Sequence, residues 1–178
     1  MDMDTGQTIL TRGLPKTGQT SVILAGDDGT HQAGWWLGKK IADNRERFIL
    51  KILDGEDVII DLATGLMWPR NCRGDGAYIG ERKKWPVMIT YANGLTFATF
   101  SDWRMPNIFE FLTLMSYEYG VSAWPSIFSN VIGDSYWTST RDKAQIDEAV
   151  CVSTVTLMVS RGDITLQDRN LLCVRGGL

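Results

Sequence analysis

Histidine occurs once in this chain of 178 residues, at position 31, and cysteine three times, at 72, 151 and 173. A Ser-His-Asp or Cys-His pairing would have to use that single imidazole, and no Gly-x-Ser-x-Gly string is present. His31 sits in a Gly-rich stretch and reads as a surface residue rather than a general base. Three cysteines at these spacings match no zinc pattern, and an odd count does not make a disulfide framework. They read as buried free thiols, with a Cys151–Cys173 bridge left open should their strands be neighbours. Neither a phosphate-cradling loop nor a dinucleotide fingerprint appears, and no cofactor is expected. No apolar run approaches the ~20 residues that span a bilayer, so membrane insertion is not expected. The N-terminus carries acidic residues where a signal peptide needs basic ones, which points away from that route or to a leader absent from this chain. Basic excess is also missing. Lys and Arg total 18 against 21 Asp and Glu, for a net charge of −3. The tightest basic run, Arg82-Lys83-Lys84, follows Glu81 and reads as solvated loop, so nucleic acid is not an expected partner.

What the chain does have is core-forming material. Hydrophobic residues make up 44% and charged residues 22%, enough apolar surface for one domain of ordinary size. Seven tryptophans, at 35, 36, 68, 85, 103, 124 and 137, read mostly as core, where large rings fill space efficiently. Trp35 and Trp36 are adjacent and cannot both point inward from one strand.

Residues 1–47 are rich in Gly, Thr, Gln and Asp and read as an extended arm with loops, ahead of a body over 48–178. Thr-Gly-Gln-Thr occurs twice, at 5–8 and 17–20, too few copies for a solenoid. Gly26-Asp27-Asp28-Gly29 reads as a turn rather than a calcium loop, since the full calcium pattern is absent. Phe48 to Trp68 reads as a hairpin: apolar or β-branched runs over 48–53 and 58–62 are separated by Asp54-Gly55-Glu56-Asp57, and a second turn, Ala63-Thr64-Gly65, leads into Leu66-Met67-Trp68. Residues 69–84 form a polar loop.

One helix is expected from Trp85, with Pro86 early and Met88, Tyr91, Ala92 and Leu95 on one face. A second is expected from Asn107, whose side chain with Glu110 makes a capping box. Its apolar stripe is Ile108, Phe111, Leu112 and Met115, and Gly120 is the expected stop. The remainder reads as strands: 135–140, a long β-branched stretch over 149–160 that is one strand or two, 164–166 and 171–174. Helices in the middle and strands at both ends predict an α+β fold with a mostly antiparallel sheet and long loops. Trp68, Trp103 and Trp137 are expected to be buried, and the Cys173 strand to lie within the sheet.

Four segments, in order, carry a resemblance. They are Asp61-Leu-Ala-Thr-Gly-Leu-Met-Trp68, Ser101-Asp-Trp-Arg-Met-Pro-Asn107 with Glu110, Tyr136-Trp-Thr-Ser-Thr140 and Cys173-Val-Arg-Gly-Gly177. With Leu14-Pro-Lys-Thr-Gly-Gln-Thr20 and Gly26-Asp-Asp-Gly29 before them, the chain resembles the Lcl C-terminal domain family, named for the end domain of a bacterial collagen-like adhesin. The resemblance implies a C-type-lectin-like fold, the broad fold shared with formylglycine-generating enzymes. It implies no established catalytic role, and a context of adhesion to surface polysaccharides, glycosaminoglycans among them. It also implies a cell-surface or extracellular location. Val155-Thr-Leu-Met158 departs from the family pattern by being apolar where a Gly-containing turn is usual. The motif residues themselves read as scaffold. Asp102 and Arg104 are expected to bond loop backbone while Trp103 packs inward.

Calcium-dependent lectins of this fold use a Glu-Pro-Asn or Gln-Pro-Asp loop. The nearest string here, Met105-Pro106-Asn107, lacks the carboxylate and belongs to a helix cap. Arg-Gly-Asp occurs at 73–75 and 161–163 and reads as turn composition. The expected function is therefore a non-enzymatic adhesion or recognition module for a glycan or a protein. Two other classes stand beside it: a structural oligomerisation domain of a surface or phage assembly, and an enzyme of the formylglycine-generating type. The candidate ligand-binding residues are Arg141, Asp142, Lys143, Arg161, Asp163, Asp168 and Arg169, on loops between the later strands, where a rigid scaffold usually displays its recognition groups. The mixed charge of these loops argues against a highly sulfated polymer.

Overall fold

The computed structural model describes residues 15–32, 47–118 and 122–176. Trp35, Trp36, the first Thr-Gly-Gln-Thr copy and the expected stop at Gly120 lie outside the described residues.

The fold is α+β, with two small antiparallel three-stranded sheets and a few short helices. The first sheet has the order β1 (Phe48–Leu53), β2 (Glu56–Asp61), β3 (Leu66–Pro69). Its first hairpin turns at Asp54 and Gly55, both at positive φ, +53° and +82°. Such a turn suits the twist of the flanking strands and is easy only for small or Asx residues. The second sheet has the order β4 (Ser135–Arg141), β5 (Glu148–Ser153), β6 (Val159–Asp163), with a register shift in the β4–β5 pair between Trp137 and Arg141. The β-branched stretch from 149 therefore divides into two strands, and the apolar Val155–Met158 segment forms the turn between them.

The chain's last stretch stitches the parts together. It makes single bridges to four places: Arg169 to Lys83, Asn170 to Tyr136, Val174 to Arg104 and Arg175 to Met67. Leu171 through Val174 are fully buried. The expected strand through Cys173 is thus an extended buried segment laid between elements, not a member of either ladder. Ile164–Leu166, also expected as strand, is the turn after β6. Its N–H at Leu166 is taken by the Asp163 carboxylate instead of a neighbouring strand.

Helix α2 (Trp85–Gly94) forms where the apolar spacing places it, burying Met88 and Ala92 with Tyr91 half-buried. Pro86 occupies the first turn, where its missing N–H has no partner to lose. Helix α3 (Ile108–Leu112) carries the full capping box, with Asn107 accepting from the Glu110 N–H and Glu110 accepting from the Asn107 N–H. It is far shorter than the stripe predicts. After Leu112 the N–H groups of Leu114 and Met115 reach back only three residues, and the Thr113 hydroxyl takes the Glu110 carbonyl at 2.7 Å. A short polar side chain thus competes with the helix ladder and ends it. Ser116 then bonds Ala123, and the chain turns away.

The core follows the aromatic content. Trp68 and Trp137 are fully buried and Trp103 is 2% exposed. One cluster gathers Phe48, Ile59, Trp68, Phe111, Trp124 and Tyr136 between the two sheets and α3, with Phe111 5.4 Å from Tyr136 and 6.1 Å from Trp124. A second gathers Val58, Met88, Trp103, Met105, Trp137 and Leu171 under α2. Two buried indoles bond backbone carbonyls, while those of Trp68 and Trp124 have no partner among the described residues. Trp137 donates to the Lys83 carbonyl at 3.0 Å and Trp103 to the Phe97 carbonyl at 2.8 Å.

Candidate functional site

The motif segments are scaffold, and they touch one another. Asp102 is bonded by the Arg175 guanidinium at 2.7 and 3.0 Å, and Arg175 lies 3.7 Å over the Phe100 ring. Arg104 makes a two-pronged bond to Glu110 at 2.8 and 2.6 Å and reaches the Gly176 carbonyl. These two side chains therefore make ion pairs, and Arg104 also makes the bond to loop backbone that the sequence suggested. Thr140 accepts from the Ile108 N–H, tying β4 to the start of α3. Asp61 closes the turn into β3 by accepting from Ala63 and Thr64, and pairs with a fully buried Arg47 at 2.7 and 2.6 Å.

This frame fixes one end of the second sheet, where the candidate loops meet. Arg141 stands opposite Ala149, and Ala149 opposite Gly162, so the end of β4, the start of β5 and the end of β6 share one edge. The Ile164 N–H donates to the Asp147 carbonyl at 2.9 Å, which joins the β4–β5 turn to the turn after β6. Gly162 is needed there: a Cβ would lie 2.6 Å from both the Trp137 ring and the Gln167 side chain. Arg161-Gly162-Asp163 is accordingly strand with a buried glycine, not a turn, whereas Arg73-Gly74-Asp75 does sit in a turn, leading into a 3-10 segment.

Two of the candidate carboxylates shape their loops. Asp142 accepts from the N–H groups of Ala144 and Gln145 at 2.7 and 2.9 Å. Asp163 accepts from the Thr165 N–H and hydroxyl and from the Leu166 N–H, all at 2.8–2.9 Å. Backbone hydrogen bonds to the ionised form hold both carboxyls below the usual Asp value. Asp168 contributes its carbonyl, which accepts from Arg82.

The cations differ in how committed they are. Arg161 lies 3.6 Å from Asp142 and 3.7 Å from Glu148, in a largely exposed network. Arg169 stacks 5.7 Å over the Trp137 ring and donates to Gln167 at 2.6 Å. Arg141 and Lys143 are exposed and make no ion pair among the described residues. Beside them two apolar side chains stand in solvent, Ile146 at 81% exposure and Leu166 at 76%. Arg141, Asp142, Lys143, Arg161 and Asp163 therefore fall at one end of the second sheet, whereas Asp168 and Arg169 lie back along it, toward Lys83 and the start of β4. The two apolar tips and the part played by the 82–84 segment went unpredicted. The Arg82-Lys83-Lys84 run is largely exposed, but it also braces the opposite end of β4 through Arg82–Asp134 at 3.3 Å and the Lys83–Arg169 bridge.

The thiols lie elsewhere. Cys72, Cys151 and Cys173 are buried and unbridged, and burial pushes the Cys72 and Cys173 thiols up to about 12. Among the described residues no three of His, Cys, Asp and Glu converge as metal ligands. Asp27, the cap of the one-turn helix α1 (Asp28–His31), and Asp28, its first residue, are occupied by local donors including Ile23, Thr30 and Thr17. His31 is exposed. No helix among the described residues is long and apolar enough to cross a membrane.

These features make an α+β domain of two antiparallel sheets, tied together by ion-paired motif residues, with adjoining turns at the Arg141 end of the second sheet. The chain belongs to the Lcl C-terminal domain family, whose model matches residues 57–175. The segments at 14–20 and 26–29 fall before the matched span. No curated protein matches the chain.

Proposed function

We propose that this domain is a non-enzymatic recognition module of C-type-lectin-like architecture. It binds a glycan or a protein through the adjoining loops at the Arg141 end of the second sheet, and it works at a bacterial surface or on a phage particle. One observation carries the reading. Asp142 and Asp163 are held by backbone N–H groups within their own loops, while Arg141 and Lys143 project from those fixed loops with no ion-pair partner among the described residues. A preorganised loop that presents unneutralised cations binds without first ordering itself. Arg offers a planar fork of donors for a carboxylate or for vicinal hydroxyls, and Lys a mobile point charge. Ile146 and Leu166 beside them supply apolar surface that suits a protein side chain or the C–H face of a sugar.

An enzyme of the formylglycine-generating type would need accessible, low-pKa thiols. The buried cysteines, two of them shifted upward, weigh against it. A purely structural self-association role is the remaining alternative. Light scattering followed by glycan and protein arrays separates the two. A ligand found on either array, by a chain that scatters as a monomer, supports recognition; a stable multimer with no ligand supports assembly. Within the loop cluster, Arg141→Ala with Lys143→Ala is the cleanest probe, because neither side chain braces the fold. Arg169→Ala would also strip a cation from Trp137, so loss of binding there would mix two causes.

A further inference from the structure

Residues 15–32 are attached to the body in a way no other described segment is. The segment is folded on itself. The Asp27 carboxylate accepts from the N–H groups of Ile23, Leu24 and Thr30, and Thr17 donates to Asp28. Its apolar side chains join neither core cluster, and Val22, Ile23 and Leu24 are 57%, 83% and 74% exposed. Among the described residues, its hydrogen bonds to the body converge on two consecutive residues. The Tyr117 N–H donates to the Thr17 carbonyl at 2.8 Å. The Glu118 carboxylate accepts from the Thr20 and Ser21 N–H groups and from both of their hydroxyls. The Ser21 hydroxyl foremost, with these other donors, holds that carboxyl down at about 2, so it is ionised throughout the neutral range.

Beneath the segment is a cleft of about 220 Å³. Pro15, Lys16 and Thr17 form one wall, and Phe109, Leu112, Met115 and Tyr117, in and just after α3, form the other. The wall on the body is apolar, with Phe109 76% exposed. The space would hold several waters, at roughly 30 Å³ each. The segment therefore covers an apolar surface without packing into it. Apolar burial anchors most elements, and polar bonds to an exposed carboxylate exchange readily with water. Among the described residues the segment is held chiefly by the second kind of contact, which belongs to the low-stability end of a fold.

We propose that residues 15–32 are a releasable strap, latched by Glu118, that closes one side of an apolar cleft on α3. In the latched state that side is the chain's own Pro15–Thr17. Release opens the cleft over Leu112 and Met115 beside the already exposed Phe109. The strap and its latch stand on contacts separate from those of the Arg141 loops.

Hydrogen exchange on the full chain tests it, comparing wild type with Glu118→Ala and Glu118→Gln. In Glu118→Ala, amides of 17–21 and of Tyr117 exchange at least about tenfold faster, as expected of a local opening. Amides of β4 to β6 and the melting temperature stay as in wild type. Trypsin cleavage after Lys16, the one Lys or Arg in the strap, accelerates, and anilinonaphthalene sulfonate fluorescence rises as the cleft opens. Glu118→Gln, which keeps one acceptor oxygen, falls between. Unchanged strap exchange in Glu118→Ala overturns the latch. Faster exchange in the strap and β4–β6 together, with a lower melting temperature, overturns the idea of a separate strap. A loosened strap without added dye binding overturns its role as a cover.

Discussion

Replacing Asp61 by Ala should remove more stability than any surface change in this domain. Asp61 and Arg47 are both fully buried and joined by two bonds of 2.7 and 2.6 Å. Asp61 also accepts from Ala63 at 3.0 Å and Thr64 at 2.7 Å, and Arg47 donates to the Thr113 carbonyl at 2.9 Å and lies 4.5 Å over Phe48. Deleting one partner of such a pair leaves an uncompensated buried charge and costs about 3–5 kcal/mol. The two turn bonds lost with the carboxylate overlap that cost and are not added to it. At about 2–4 °C per kcal/mol for a domain this size, the melting temperature should fall by about 6–20 °C. Urea denaturation followed by tryptophan fluorescence gives the free energy directly, since Trp68 shares the core with Phe48. The control is Arg47→Met with Asp61→Leu. Removing both charges should restore much of the loss, because the pair's own net contribution is small once desolvation is counted. One guanidinium nitrogen, Nη1, is buried without a partner, which lowers that contribution further. A loss under about 1 kcal/mol in Asp61→Ala, the size of an exposed pair, would refute the reasoning.

Two further outcomes follow from titratable groups. Burial pushes the Glu110 carboxyl up, but the bonds from Arg104 and the Asn107 N–H outweigh it and leave it below 4.5; the Arg175 guanidinium likewise holds Asp102 below 3.8. Both groups therefore contribute stability that is complete above about pH 4.5 and is lost as pH falls through the lowered folded values, so urea midpoints should drop below pH 4 and drop less steeply in Glu110→Gln. The three thiols should resist a disulfide exchange reagent in the native protein and react fully in denaturant, and fast native labelling of Cys72 or Cys173 would contradict their burial.

Local rules carried much of the fold. The hairpin over 48–61, the start of α2, the capping box at Asn107 and the burial of Trp68, Trp103 and Trp137 all follow from spacing, turn composition and ring size. The length of α3 was not legible, because the Thr113 hydroxyl competes for a carbonyl that the apolar stripe assigns to the helix. Nor was the Arg47–Asp61 pair, whose members lie 14 residues apart with no local signature. The Glu118 latch spans 97 and 98 residues to Ser21 and Thr20 and is invisible to any window. The loop-shaping roles of Asp142 and Asp163 did leave a signal. An Asp opening a short loop often bonds N–H groups two or three residues on, as each does here.

Whether the loops around Arg141 form a recognition surface is decided by a titration. A ligand identified on a glycan or protein array is titrated against wild type and against Arg141→Ala/Lys143→Ala, with melting temperatures recorded for both. A recognition surface there gives an affinity loss of about tenfold or more, equivalent to about 1.4 kcal/mol, with no change in melting temperature. Unchanged affinity in a folded double variant contradicts it and moves the binding surface away from this end of the second sheet.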